Sequence, residues 1–126
     1  MIASLDHFVL TVRDLDATVK FYTGLGMEFR ELPHGRRALH FGRQKINLHL
    51  LGKEFEPKAS LAMPGTADVC FLVDGDIAAV AKRLAELGVA SLLGPVRRDG
   101  AQGPMMSIYC RDPDGNLVEL SQPVAA

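Results

Sequence analysis

RDPDGNLVEL, Arg111 to Leu120, is the stretch from which the rest of the chain can be read. It opens with a turn. Pro113 presets φ, Asp112 and Asp114 can bond nearby backbone amides, and Gly115 tolerates positive φ. A strand follows, Leu117 to Ser121, in which residues 117, 119 and 121 share one face and residues 118 and 120 the other. Val118 and Leu120 are natural core residues. Glu119 lies opposite them, a carboxylate in mid-strand. It needs solvent, a salt bridge or a metal, because burying it alone is costly.

Working outward, the same alternation marks further strands at Leu5–Val12, Met27–Leu32, Ala38–Gly42, Lys45–Leu51, Ala67–Val73, Val89–Val96 and Met105–Cys110. Two helices intervene. Asp14 caps the first, with Leu15, Val19, Tyr22 and Leu25 at helical spacing and Gly26 as the stop. Asp76 caps the second, with Ile77, Val80, Ala81, Leu84 and Leu87 as its stripe and Gly88 as the stop. The pairs Leu25-Gly26 and Leu87-Gly88 stand 62 residues apart, and sliding one half over the other sets His7 over Asp68. Each half reads as strand, helix, three strands, so the layout is duplicated. Module 1 covers residues 4–52, a connector without periodicity 53–66, and module 2 67–122. Together they predict one α+β domain, residues 1–126, in which the modules pack into a curved mixed sheet with helices outside.

The bulk numbers narrow the function. The chain has 126 residues, enough for one domain with a core, and 48% apolar content supports a globular fold. A net charge of −1 gives no pull toward nucleic acid or anionic membrane, and 6% aromatic content without Trp argues against a base-stacking surface. No apolar run is long enough for a membrane span and no signal peptide pattern stands at the start, which predicts a cytoplasmic protein. Cys70 and Cys110 fall inside strands and read as buried free thiols, in keeping with a reducing compartment.

Faces decide the candidate site. In Lys45–Leu51 the aliphatic face is Ile46, Leu48 and Leu50, so His49 looks the other way with Asn47 and Lys45. In Ala67–Val73 the packing face is Val69, Phe71 and Val73, which leaves Asp68 and Cys70 opposite. His7 interrupts an apolar face of the first strand. Four strands thus bring His7, His49, Asp68 and Glu119 to the side of the sheet away from the helices. Two imidazoles with a carboxylate suit Zn, Mn, Fe(II), Ni or Co. Each residue taken singly has an ordinary structural reading: a hydrogen-bonded strand histidine, a capping aspartate, a solvated glutamate. The coincidence of faces favours the metal.

With these residues in hand, the chain resembles the vicinal oxygen chelate superfamily of glyoxalase I, fosfomycin- and bleomycin-resistance proteins and extradiol dioxygenases. The resemblance rests on DHFVLTVRDLDATVKFYTGLGM, KINLHL and IYCRDPDGNLVELSQ. It is nearest to small glyoxalase-domain proteins called virulence-associated, which share QKINLH and EFEPKAS. The resemblance implies paired βαβββ modules forming a cup with a divalent metal on its floor. It implies His7, His49 and Glu119 as metal ligands, with Asp68 where many members have a His, and Glu119 or Asp68 as catalytic base. Tyr109 falls where fosfomycin-type members contact substrate. Asn47 and Lys45 join it as candidate substrate-binding residues. Two departures from glyoxalase I stand out: His49 where a Glu is usual and Asp68 where a His is usual. The implied reaction is glyoxalase-like lyase or isomerase chemistry on a small oxygen-chelating substrate, the metal stabilising an enediolate. Fe(II)-dependent dioxygenase chemistry and metal-free drug binding are the alternatives. The resemblance also implies a homodimer with sites at the interface, each cup built from half of each chain.

Overall fold

The computed structural model describes residues 1–125. The chain divides into two compact units that meet in sequence between Thr66 and Ala67. Each is a βαβββ module, so the fold is α+β with the expected duplication.

The first unit runs β1 (His7–Val12), α1 (Leu15–Gly24), β2 (Glu28–Leu32), a 3-10 turn at Pro33–Gly35, β3 (Arg36–Phe41) and β4 (Gln44–Leu50). The sheet order is β1-β4-β3-β2, with β1 and β4 parallel and the other pairs antiparallel. Leu10, Val12, Leu39, Ile46 and Leu48 form its buried apolar layer, together with Phe21 and Tyr22 of α1. The Asp14 carboxylate caps α1 by accepting from the Ala17 amide at 3.0 Å, as expected. The buried stripe of α1 is rotated from the expected one: Thr18, Phe21 and Tyr22 are buried and Val19 is half-buried. Thr18 tolerates the core because its hydroxyl donates to the Asp14 carbonyl at 2.9 Å.

The second unit runs β5 (Asp68–Leu72), α2 (Ile77–Glu86), β6 (Leu93–Gly100), β7 (Gly103–Arg111) and β8 (Leu117–Pro123), in sheet order β5-β8-β7-β6 with β5 and β8 parallel. Its core is Phe71, Ile77, Leu84, Ile108, Cys110, Val118 and Leu120. One strand is displaced from its expected place. The apolar run Val89–Leu92 is mostly connector, and β6 instead carries the charged Arg97, Arg98 and Asp99 into a hairpin with β7. Main-chain pairing with β7 decides this, and an edge strand with exposed side chains tolerates charge.

The DPDGN turn is built from its own side chains. The Asp112 carboxylate accepts from the Asp114 and Asn116 amides, each at 3.0 Å, and from the Asn116 side-chain amide at 2.8 Å. Gly115 takes φ +87°, which a side chain would strain. Asn116, 1% exposed, then accepts from the Ala67 amide at 2.9 Å. The Leu117 amide donates to the Ala67 carbonyl at 3.0 Å. The turn therefore fixes where β8 starts against β5. Replacing Asn116 by Ala strands the Ala67 amide and removes one donor from the buried Asp112 carboxylate. The Asn116→Ala variant is expected to lose about 2–3 kcal/mol in urea denaturation; a loss under about 0.5 kcal/mol would contradict this role for the side chain.

Candidate metal and substrate site

In the second unit, register places Cys70, Glu119 and Tyr109 side by side across β5, β8 and β7. One step away lie Ser121 and Ser107; one step the other way lies Asp68, opposite Leu117. Glu119 is half-buried on the face away from α2. Its Oε2 accepts from the Ser107 hydroxyl at 2.7 Å and from the Ser121 hydroxyl at 3.2 Å. The two hydroxyls lie 2.7 Å apart, and Ser121 also meets the Cys70 thiol at 3.2 Å. Both bonds fall on one oxygen, so Oε1 is held in place and remains available. An oriented carboxylate with a free oxygen is the form a metal ligand takes. Asp68 is exposed and diagonal to Glu119, at roughly 8 Å between backbones.

The serines were not singled out from the sequence. Their signal was there: Ser121 shares the Glu119 face, and Ser107 is a small polar residue in an apolar strand. Arg98, which would default to the surface, donates from Nε to the Tyr109 phenol oxygen at 3.0 Å and so orients that ring. Cys70, expected to be a buried thiol, is exposed because it lies on the side away from the helix; Cys110 is buried as expected, and burial pushes its thiol up to about 11.

In the first unit, His7 stands beside Lys45, Val9 beside Asn47, and Thr11 beside His49. His7 Nδ1 lies 2.8 Å from Asp6 Oδ1, which places the ring proton on Nδ1 and leaves the Nε2 lone pair free. The residue diagonal to His7 is Asn47. Its Oδ1 is buried and has no hydrogen-bond partner, an orphan acceptor that needs an explanation. The relation of His7 to Asn47 repeats that of Asp68 to Glu119: in both, the second residue lies two positions beyond the direct partner of the first.

That repeat corrects the reading of His49 as the companion of His7. Parallel pairing sets His49 four positions further along, roughly 13 Å away on the strand axis, too far for both imidazoles of one chain to share an ion. Alternation alone showed that both faced the same side, but face does not fix register. His49 is instead buried against Phe55, ring centroids 5.6 Å apart, and Arg36 lies over that same ring at 4.4 Å. Among the described residues, no three His, Cys, Asp or Glu side chains form a metal-binding group.

The comparisons agree with the architecture. The model of the Glyoxalase/Bleomycin resistance protein/Dioxygenase superfamily matches residues 4–120, and the chain belongs to that superfamily. It is 55% identical over 120 residues to the glyoxalase domain-containing protein RDO1 of Mycosarcoma maydis, covering 95% of this chain and 68% of that one. It is 50% identical over 123 residues to virulence protein STM3117 of Salmonella typhimurium, covering 97% and 85%. The crystal structure of STM3117 superimposes with a TM-score of 0.95 over 98% of this chain and 99% of that one. A lactoylglutathione lyase from Agrobacterium tumefaciens is 25% identical, with a TM-score of 0.73 over 97% and 95%.

Burial and then the Arg36 charge hold the His49 pKa below its ordinary value. The unfolded imidazole protonates near pH 6.5, the folded one only at lower pH. Between the two the unfolded chain carries more protons, so His49 makes stability fall as pH drops below about 6.5. An NMR titration is expected to give a His49 midpoint below about 6.5, and His49→Gln should flatten part of that acid loss. A midpoint at or above the ordinary value would contradict this environment.

Proposed function

We propose that this chain is a metal-dependent enzyme of the superfamily, a glyoxalase-like lyase or isomerase acting on a small substrate that chelates through adjacent oxygens. The observation that carries the reading is the pair of pre-oriented donors. His7 presents Nε2 because Asp6 holds Nδ1, and Glu119 presents Oε1 because two serines hold Oε2. Asn47 Oδ1, buried and unpartnered, fits as a further oxygen donor, and N/O donor sets of this kind suit Zn, Ni, Mn, Co or Fe. A divalent ion bound there supplies Lewis acidity toward a substrate carbonyl. Asp68, on the same face as Glu119, is the base in this reading and takes a proton from the neighbouring carbon. In the same reading Tyr109, fixed by Arg98, and Lys45, beside His7, position substrate. Two free cysteines fit action in the reducing cytoplasm.

Each unit supplies half of the donors. In our reading the half-set of one protomer is completed by the other half-set of a second, in a homodimer. The edge strands β1 and β5, which carry His7 and Asp68, give a partner an open edge to cover.

Elemental analysis of the purified protein is expected to find a divalent metal, and turnover of hemithioacetals should depend on it. His7→Ala and Glu119→Gln should each lose metal and activity; either retaining both in full would overturn the reading. Asp68→Asn should keep the metal and lose turnover. Ser107→Ala, which frees the carboxylate from its orienting hydroxyl, should weaken metal affinity by roughly tenfold or more. Co-expressed His7→Ala and Glu119→Gln chains test the shared site. A mixed dimer regains one intact site if each site draws on both chains, and none if each site lies within one chain.

A further inference from the structure

The first unit holds a pocket of about 510 Å3 whose walls include Asp6, Glu28, Arg30, His40, Arg43 and Lys45. That volume is in the range of small-molecule pockets. Its charges do not cancel. Glu28 is taken up by Arg30, whose Nε and Nη2 donate to the two carboxylate oxygens at 3.2 and 3.1 Å. Asp6 is taken up by His7. Lys45 and Arg43 remain without an ion-pair partner among the described residues. His40 adds a donor. Its Nδ1 faces an Arg30 N–H at 3.4 Å and takes the acceptor role, so the ring proton belongs on Nε2. That Nε2 is buried and has no partner.

We infer that this pocket binds an oxyanion, a carboxylate or phosphate group, held by Lys45 and Arg43 with the His40 ring in the wall. Both are compact groups of acceptor oxygens that match these donors. Lys45 also stands directly beside His7 on the neighbouring strand. An anion held at Lys45 is therefore one strand away from His7. Resting on the metal reading above, this makes the substrate an acid or a phosphate ester whose charged end occupies the pocket.

The test uses EDTA-stripped protein, so that it does not depend on the metal. Inorganic phosphate and succinate are titrated separately into 15N-labelled protein and followed by NMR. Saturable shifts are expected at the Arg43, Gln44 and Lys45 amides and at the His40 ring nitrogens. Lys45→Met and Arg43→Met, checked for native dispersion, should each weaken binding by about tenfold. Saturation by phosphate alone assigns a phosphorylated ligand, by succinate alone a carboxylated one, and by both a general oxyanion site. Absence of saturable shifts with either anion, or shifts that are unchanged in both variants, would overturn the inference. Wild-type metal content is untouched by that outcome, so failure here is distinct from failure of the metal reading.

Discussion

Two side-chain amides set the register on which the candidate site depends. In the second unit the Asn116 carboxamide accepts from the Ala67 amide and so locks the start of β8 to the start of β5. In the first, the Gln44 carboxamide donates to the Leu5 carbonyl at 3.2 Å and ties the start of β4 to the approach of β1. The strands so joined are the parallel pairs, which no tight turn connects and which therefore need another device to fix their alignment. A slip of one residue would send every side chain of a strand to the opposite face. With the register held, His7 and Asn47 in one unit and Asp68 and Glu119 in the other occupy equivalent diagonals.

The chemistry rests on orientation as much as on residue type. A histidine and a glutamate on a sheet face are common. Here each has one atom occupied by a neighbour and the other left available: Asp6 on His7 Nδ1, and Ser107 and Ser121 on Glu119 Oε2. Such partners fix tautomer and rotamer before any ligand arrives, which lowers the ordering cost of binding. Asn47 contributes the complementary signal, a buried oxygen with nothing to accept from. The adjoining pocket extends the same logic to substrate, since its acidic groups are already engaged while Lys45 and Arg43 are not.

Much of this was legible in the chain because it depends on local rules. The aspartate caps and glycine stops, which recur in both units, the alternation of β4 and β8 and the turn at Asp112–Gly115 all follow from short-range preferences. What was not legible depends on pairing. His49 and His7 share a face, yet only the alignment of β4 on β1 shows that Asn47 is the nearer residue. Likewise β6 takes in Arg97, Arg98 and Asp99 because β7 offers its main chain there, against the pattern of the side chains. The Ser107–Ser121–Glu119 cluster joins residues from two strands, and the faint signal of its hydroxyls gains meaning only when the strands are set side by side.

The most direct measurement is anomalous diffraction from crystals of the metal-loaded protein. The account predicts a peak within about 2.0–2.3 Å of His7 Nε2 and of a Glu119 carboxylate oxygen, with Asn47 closer to it than His49. A peak seated on His49, or one that touches neither His7 nor Glu119, would contradict it.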